Sequence, residues 1–161
     1  ALISARLDSG NIVCSTCHDP HDNANGKLLV STNTGDAMCK DCHDARNIGR
    51  FTAPATNIGS HPVGLTYTAG GNYVDPAPTL SPLNVGLVNG NIECSSCHAV
   101  HNATTTDGNL LRETMTSATC KECHNYLPHQ GFDCLDCHDM HNTNNIMLIK
   151  NQIDIVLISI I

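Results

Sequence analysis

No tryptophan occurs in the chain, phenylalanine occurs twice and tyrosine three times, so aromatic residues make up only 3% of its 161 positions. Large aromatic side chains supply much of the area an ordinary core buries. The length suits one domain, but a domain this poor in aromatics needs staples or cofactors to hold it. Positive charge is scarce too. Eight Lys and Arg stand against fifteen Asp and Glu, a formal charge of −7. That excludes the basic patch that nucleic acid or an anionic membrane surface requires. A long uninterrupted apolar run is also missing. The apolar C-terminal stretch 146–161 is broken by Lys150, Asn151, Gln152 and Asp154 and is too short to span a bilayer, so no membrane span is expected. Residues 1–6, ALISAR, lack the charged n-region and apolar run of a signal peptide, so if the protein is exported this is expected to be its mature chain.

What the chain does hold is ten cysteines and ten histidines. The cysteines fall at 14/17, 39/42, 94/97, 120/123 and 134/137, so all ten sit in C-x-x-C pairs. A histidine follows every pair, giving CSTCH, CKDCH, CSSCH, CKECH and CLDCH. A C-x-x-C pair alone suits a zinc site or a redox dithiol, and ten cysteines in an exported chain suit a disulfide framework. None of these readings explains the histidine. C-x-x-C-H reads as a c-type haem attachment site. Two thiols add to the two vinyl groups on one porphyrin edge, and the adjacent histidine is held under the iron. The cofactor-binding residues are therefore Cys14, Cys17, Cys39, Cys42, Cys94, Cys97, Cys120, Cys123, Cys134 and Cys137, for five covalent haems c.

Five irons with two axial positions each need ten ligands. The motif histidines His18, His43, His98, His124 and His138 supply one per iron. The other histidines, His21, His61, His101, His129 and His141, are also five, so the spacing predicts bis-histidine iron throughout. Met38, Met115, Met140 and Met147 are alternative ligands in kind, but the histidine count leaves them no vacancy. Distance then constrains the pairing. Ligands on opposite faces of one iron, with iron–nitrogen bonds of about 2 Å, hold their Cα atoms roughly 12–13 Å apart. Three extended residues span at most about 10 Å, and three helical ones about 4.5 Å. So His21 cannot readily serve the haem held by His18, nor His101 that of His98, nor His141 that of His138. Each reaches a different haem, which forces porphyrins close together.

The chain repeats itself. Residues 10-GNIVCSTCH-18 and 90-GNIECSSCH-98 share seven of nine positions. Each copy continues through a distal histidine and an apolar pair (27-KLLV-30, 109-NLLR-112) to a second C-x-x-C-H, 21 residues after His18 and 22 after His98. The expected organisation is one pentahaem domain over 1–161. It has two-haem modules at 10–61 and 90–129, a loop-rich connector at 62–89, and a half module with the apolar tail at 130–161. The expected fold is mostly coil with short helical turns at the motifs and few strands, wrapped around a packed chain of haems. The tail is expected to cover the last haem of its own chain, to contact another subunit, or to associate with a membrane without spanning it.

The order C-x-x-C-H-x-x-H, K-L-L, C-x-x-C-H closely resembles the doubled-CxxCH family of multihaem cytochromes c, and 60-SHPVGLTY-67 is similar to a segment that recurs there. The resemblance covers roughly residues 10–145. It implies an exported, bis-histidine electron carrier. Some members it resembles polymerise outside the cell into cytochrome nanowires, in which a distal histidine of the first motif reaches the neighbouring subunit; the matching residue here is His21. Polymerising members commonly carry even numbers of haems, and five is a departure. Three functions follow as expectations. The first is a subunit of an extracellular conductive filament whose partners are itself and its redox partners. The second is a discrete periplasmic or surface pentahaem shuttle. The third, remote, is a multihaem reductase, which would need an iron lacking one protein ligand; no such vacancy is visible, so no catalytic residue is assigned and the chain is not expected to be an enzyme.

Overall fold

The computed structural model describes residues 3–43, 61, 63–74, 85–101, 105, 109–125 and 132–141. His129, Met147, the tail 146–161 and residues 75–84 of the connector lie outside the described residues. The chain forms two compact units, Ala1–Asn47 and Ile48–Ile161. Both are mostly coil with short helices, as the sequence predicts. The helices are α1 (Cys14–Cys17), α2 (Ala37–His43), α3 (Cys94–Cys97), α4 (Ser117–Lys121) and α5 (Cys134–Cys137). Two 3₁₀ turns, Ile3–Arg6 and Thr34–Asp36, and one antiparallel pair, β1 (Leu65–Thr66) with β2 (Asn91–Ile92), complete the regular structure of the described residues. Among them, no helix is long and apolar enough to cross a membrane.

Helices of four or five residues do not persist by propensity, because nucleation outweighs so few bonds. Here the third helical residue reaches back to the N-cap. Thr16 Oγ1 accepts from the Val13 N–H at 3.0 Å, Ser96 Oγ from Glu93 at 2.9 Å, Thr119 Oγ1 from Thr116 at 3.3 Å and Asp136 Oδ2 from Asp133 at 3.2 Å. This is the returning half of a capping box. In α1, α3 and α5 that residue is the second x of C-x-x-C, so the spacer is also the clamp that makes the turn.

In the first unit the N-terminal 3₁₀ turn binds both haem-motif helices. The Ser4 N–H donates to Asp41 Oδ2 at 2.8 Å, on α2. Arg6 donates through Nε and Nη2 to the Ser15 carbonyl on α1, at 3.3 and 3.1 Å, and the Thr16 hydroxyl donates to the Arg6 carbonyl at 3.2 Å. Ile3 and Met38 are its buried apolar side chains among the described residues.

In the second unit the β1–β2 pair carries the organisation. The Gly64 N–H donates to the Ile92 carbonyl at 2.7 Å and the Tyr67 N–H to Gly90 at 2.9 Å, flanking the paired Leu65–Ile92 and Thr66–Asn91. The segment holding His61 thus lies beside the strand that runs into Cys94. The Cys134 N–H donates to Ser117 Oγ at 2.7 Å and docks α5 on α4. Val85 and Ala99 are the buried apolar side chains here among the described residues.

Candidate haem-binding site

A helical turn sets residues three apart on one face, so each C-x-x-C presents both sulfurs together. In α1, α3 and α5 the next residue leaves the helix at once, whereas His43 is the last residue of α2. The His18 N–H closes the turn on the Cys14 carbonyl at 2.9 Å, His98 on Cys94 at 3.0 Å and His138 on Cys134 at 2.9 Å. All three histidines then have extended backbone, with φ of −118°, −105° and −103°. The imidazole is thereby set beside the pair of sulfurs rather than farther around the helix.

No disulfide joins any of the ten cysteines. Successive motifs bring their thiols together. In the first unit, burial and then the neighbouring Cys39 and Cys42 push the Cys17 thiol up. In the second, burial, followed by Cys123 and Cys120, pushes Cys97 up to about 12. Burial and then Cys134, whose thiol hydrogen-bonds to it, push Cys120 up to about 11. Burial and then Glu122 raise Cys123. Thiolates are costly at these positions; a thioether, which carries no ionisable proton, relieves that cost.

The first histidine of each module is oriented the same way. His18 Nδ1 lies 3.0 Å from the Lys27 carbonyl, and His98 Nδ1 lies 2.8 Å from the Asn109 carbonyl. A ring that donates its Nδ1–H to a carbonyl keeps Nε2 as the basic nitrogen, the arrangement typical of a metal-ligating histidine. The same backbone ladder presents each carbonyl. Asp19 donates to Leu28 at 2.7 Å and Val30 to Cys17 at 3.0 Å; in the other copy Ala99 donates to Leu110 at 2.7 Å and Arg112 to Cys97 at 2.9 Å. Burial, then the nearby His138, lowers the pKa of His124, which favours the neutral ring that binds metal.

The structure also places the non-motif histidines. His21 is exposed, and its N–H donates to Asp19 Oδ1 at 3.0 Å; with Asp22 N–H on the Asp19 carbonyl at 3.2 Å, the chain turns between His18 and His21. A turn shortens the reach between them further. His101 and His43 are exposed. His141 repeats the device of His21, its N–H donating to Asp139 Oδ1 at 2.9 Å. Its ring centroid lies 6.1 Å from that of His98. His61 donates its N–H to the Met140 carbonyl at 2.8 Å, and its ring centroid lies 6.1 Å from that of His124. Tyr67 steadies that second pair: its hydroxyl donates to the carbonyls of Val74 and Cys123, and Val74 N–H bonds Cys123 in turn.

Among the described residues no group of three or more His, Cys, Asp or Glu side chains is arranged to hold a bare metal ion. Two pairs of histidines face one another instead, His61 with His124 and His98 with His141, as would suit an iron held in a porphyrin. Two imidazoles on one iron, with metal–nitrogen bonds of about 2 Å, set their centroids about 6 Å apart, and both pairs match. The donor set therefore fits haem c.

A family model described as Doubled CXXCH motif matches residues 6–47. The match supports a multihaem c-type cytochrome. Its span takes in Cys14/Cys17 and Cys39/Cys42, and the C-x-x-C-H motifs indicate covalently bound haem c and electron transfer. No curated protein and no solved structure matches the chain.

Several contributing residues are not evident from motif spacing. They include the Lys27 and Asn109 carbonyls, the Asp19 and Asp139 carboxylates, and Tyr67. The H-D-x-H pattern at 18–21 and 138–141 is the signal that could have found the two aspartates, since Asp commonly accepts from the N–H two residues on.

Proposed function

We propose that the chain conducts electrons through five bis-histidine c-type haems and serves as the subunit of an extracellular filament. The observation that carries the reading is the succession of attachment sites in the second unit, with the Cys97 thiol near Cys120 and Cys123, and the Cys120 thiol near Cys134. Cofactors tethered at such neighbours have little protein between them. When bound, haem c supplies reversible one-electron chemistry at iron. The chain's part is to tether, orient and shield. Each cysteine pair fixes a porphyrin edge. His18, His43, His98, His124 and His138 hold the near face of each iron, and His21, His61, His101, His129 and His141 the far face. With two histidines available for every iron, no position would remain for a substrate, so the chain is not proposed to be an enzyme.

His21, exposed and too close along the chain to serve the iron of His18, is proposed to ligate an iron of the partner subunit, attached at Cys120/Cys123 or Cys134/Cys137. The His21→Ala variant tests this. It is expected to retain five covalent haems by mass, to lose filaments in negative-stain images, and to gain one high-spin iron. Normal filaments with every iron low-spin would overturn the intersubunit link. Wild-type protein that stays monomeric with five low-spin irons would instead identify a discrete shuttle in the periplasm or at the cell surface.

A further inference from the structure

The geometry points to two specific axial pairs, His61 with His124 on the iron attached at Cys120/Cys123, and His98 with His141 on the iron attached at Cys94/Cys97, the first with perpendicular and the second with nearly parallel imidazole planes. This assignment rests on the haem c reading above and adds which histidine faces which.

Three observations carry it. First, both pairs have ring centroids 6.1 Å apart although their interplanar angles are 90° and 29°. That separation is about what two imidazoles on one iron would have. Second, each pair joins one motif histidine to one non-motif histidine, and never the two of a single C-x-x-C-H-x-x-H. Third, each partner is held by independent backbone contacts. His61 is fixed by its N–H bond to Met140 and by the adjoining β1–β2 pair, and His141 by its N–H bond to Asp139. The His98 ring is set through Nδ1 on Asn109. His124 is backed by the Tyr73 ring, 5.3 Å away.

Ring orientation gives the pairs different signatures. Parallel imidazole planes overlap one iron π orbital more than the other and split them, which yields a rhombic low-spin ferric resonance. Perpendicular planes treat both orbitals alike and yield a strongly anisotropic signal with one dominant feature. The test uses the oxidised holo-protein, its haem count from intact mass, and its low-temperature electron paramagnetic resonance. His61→Ala is expected to keep every covalent haem, lose one iron's share of the strongly anisotropic signal and gain a high-spin iron. His141→Ala is expected to lose one iron's share of the rhombic signal instead. His61→Met and His141→Met keep a ligand in place for cases where alanine prevents accumulation, and each is expected to add one sulfur-to-iron charge-transfer band. Unchanged low-spin spectra in either alanine variant, exchanged signals between the two, or no new band in the methionine variants would overturn the pairing. Wild-type protein without covalent haem would overturn the haem reading itself, an outcome the mass measurement separates from the rest.

Discussion

Thr16 uses its hydroxyl twice while only 2% exposed, accepting from Val13 at 3.0 Å and donating to the Arg6 carbonyl at 3.2 Å. Valine has the same shape and neither bond. Thr16→Val strands a part-buried N–H and a carbonyl, and is expected to lower holo-protein stability by about 1 kcal/mol or more. Thr16→Ser keeps the hydroxyl and most of the stability. A guanidinium unfolding curve reads this as a lower midpoint at unchanged slope; an unmoved midpoint for the valine variant would contradict it. The attachment cysteines and their histidines were legible from spacing alone, because covalent chemistry fixes where they stand. The two spacer positions carried no such signal, and the second of them turns out to hold the turn closed.

At the level of elements, Asn89 and Gly90 form a two-residue reversal with φ of 52° and 81°, closed by Val88 and Asn91 exchanging both backbone bonds at 2.9 and 3.0 Å. Ser9 and Gly10 do the same before the first motif, with φ of 51° and 82°. Two successive positive φ values suit the twist of a tight hairpin. A Cβ built on either glycine meets nothing within 4 Å, so the cost of alanine there is backbone strain alone. Gly90→Ala and Gly10→Ala should each destabilise by about 1–2 kcal/mol, and by equal amounts within error. Thermal melts of the two variants side by side check this; a clear inequality would mean the copies are not mechanically equivalent. The repeat was readable in sequence, and so was the coil-rich fold, because few residues have a periodic apolar face. The reversal that presents the Lys27 and Asn109 carbonyls was not. It uses Lys27, Leu28 and Leu110 at φ of 52°, 56° and 54°, a conformation these residue types do not advertise. Nor was it legible that His61 meets His124, since long-range pairing of β1 with β2 and of Cys134 with Ser117 decides it.

Over the whole molecule, the described residues bury four apolar side chains, Ile3, Met38, Val85 and Ala99, and leave seven large ones exposed, from Leu7 at 39% to Val100 at 72%. So few buried apolar side chains would not by themselves offset the entropy of ordering the described residues. Protein made in a host without cytochrome c maturation is expected to show no cooperative thermal transition and to be digested rapidly by protease. A compact, cooperatively melting haem-free product would refute that expectation. The matched ring-to-carbonyl bonds of His18 and His98, at 3.0 and 2.8 Å, have one further effect on the proposed conduit. Hydrogen bonding at Nδ1 makes a ligating imidazole a stronger electron donor, and ligand donation is one of the levers on reduction potential. Two irons pushed alike would sit at similar potentials. A charge crossing a series of sites slows at every uphill step, so copying the motif copies its height on the energy scale, and duplication lengthens the path while keeping it level.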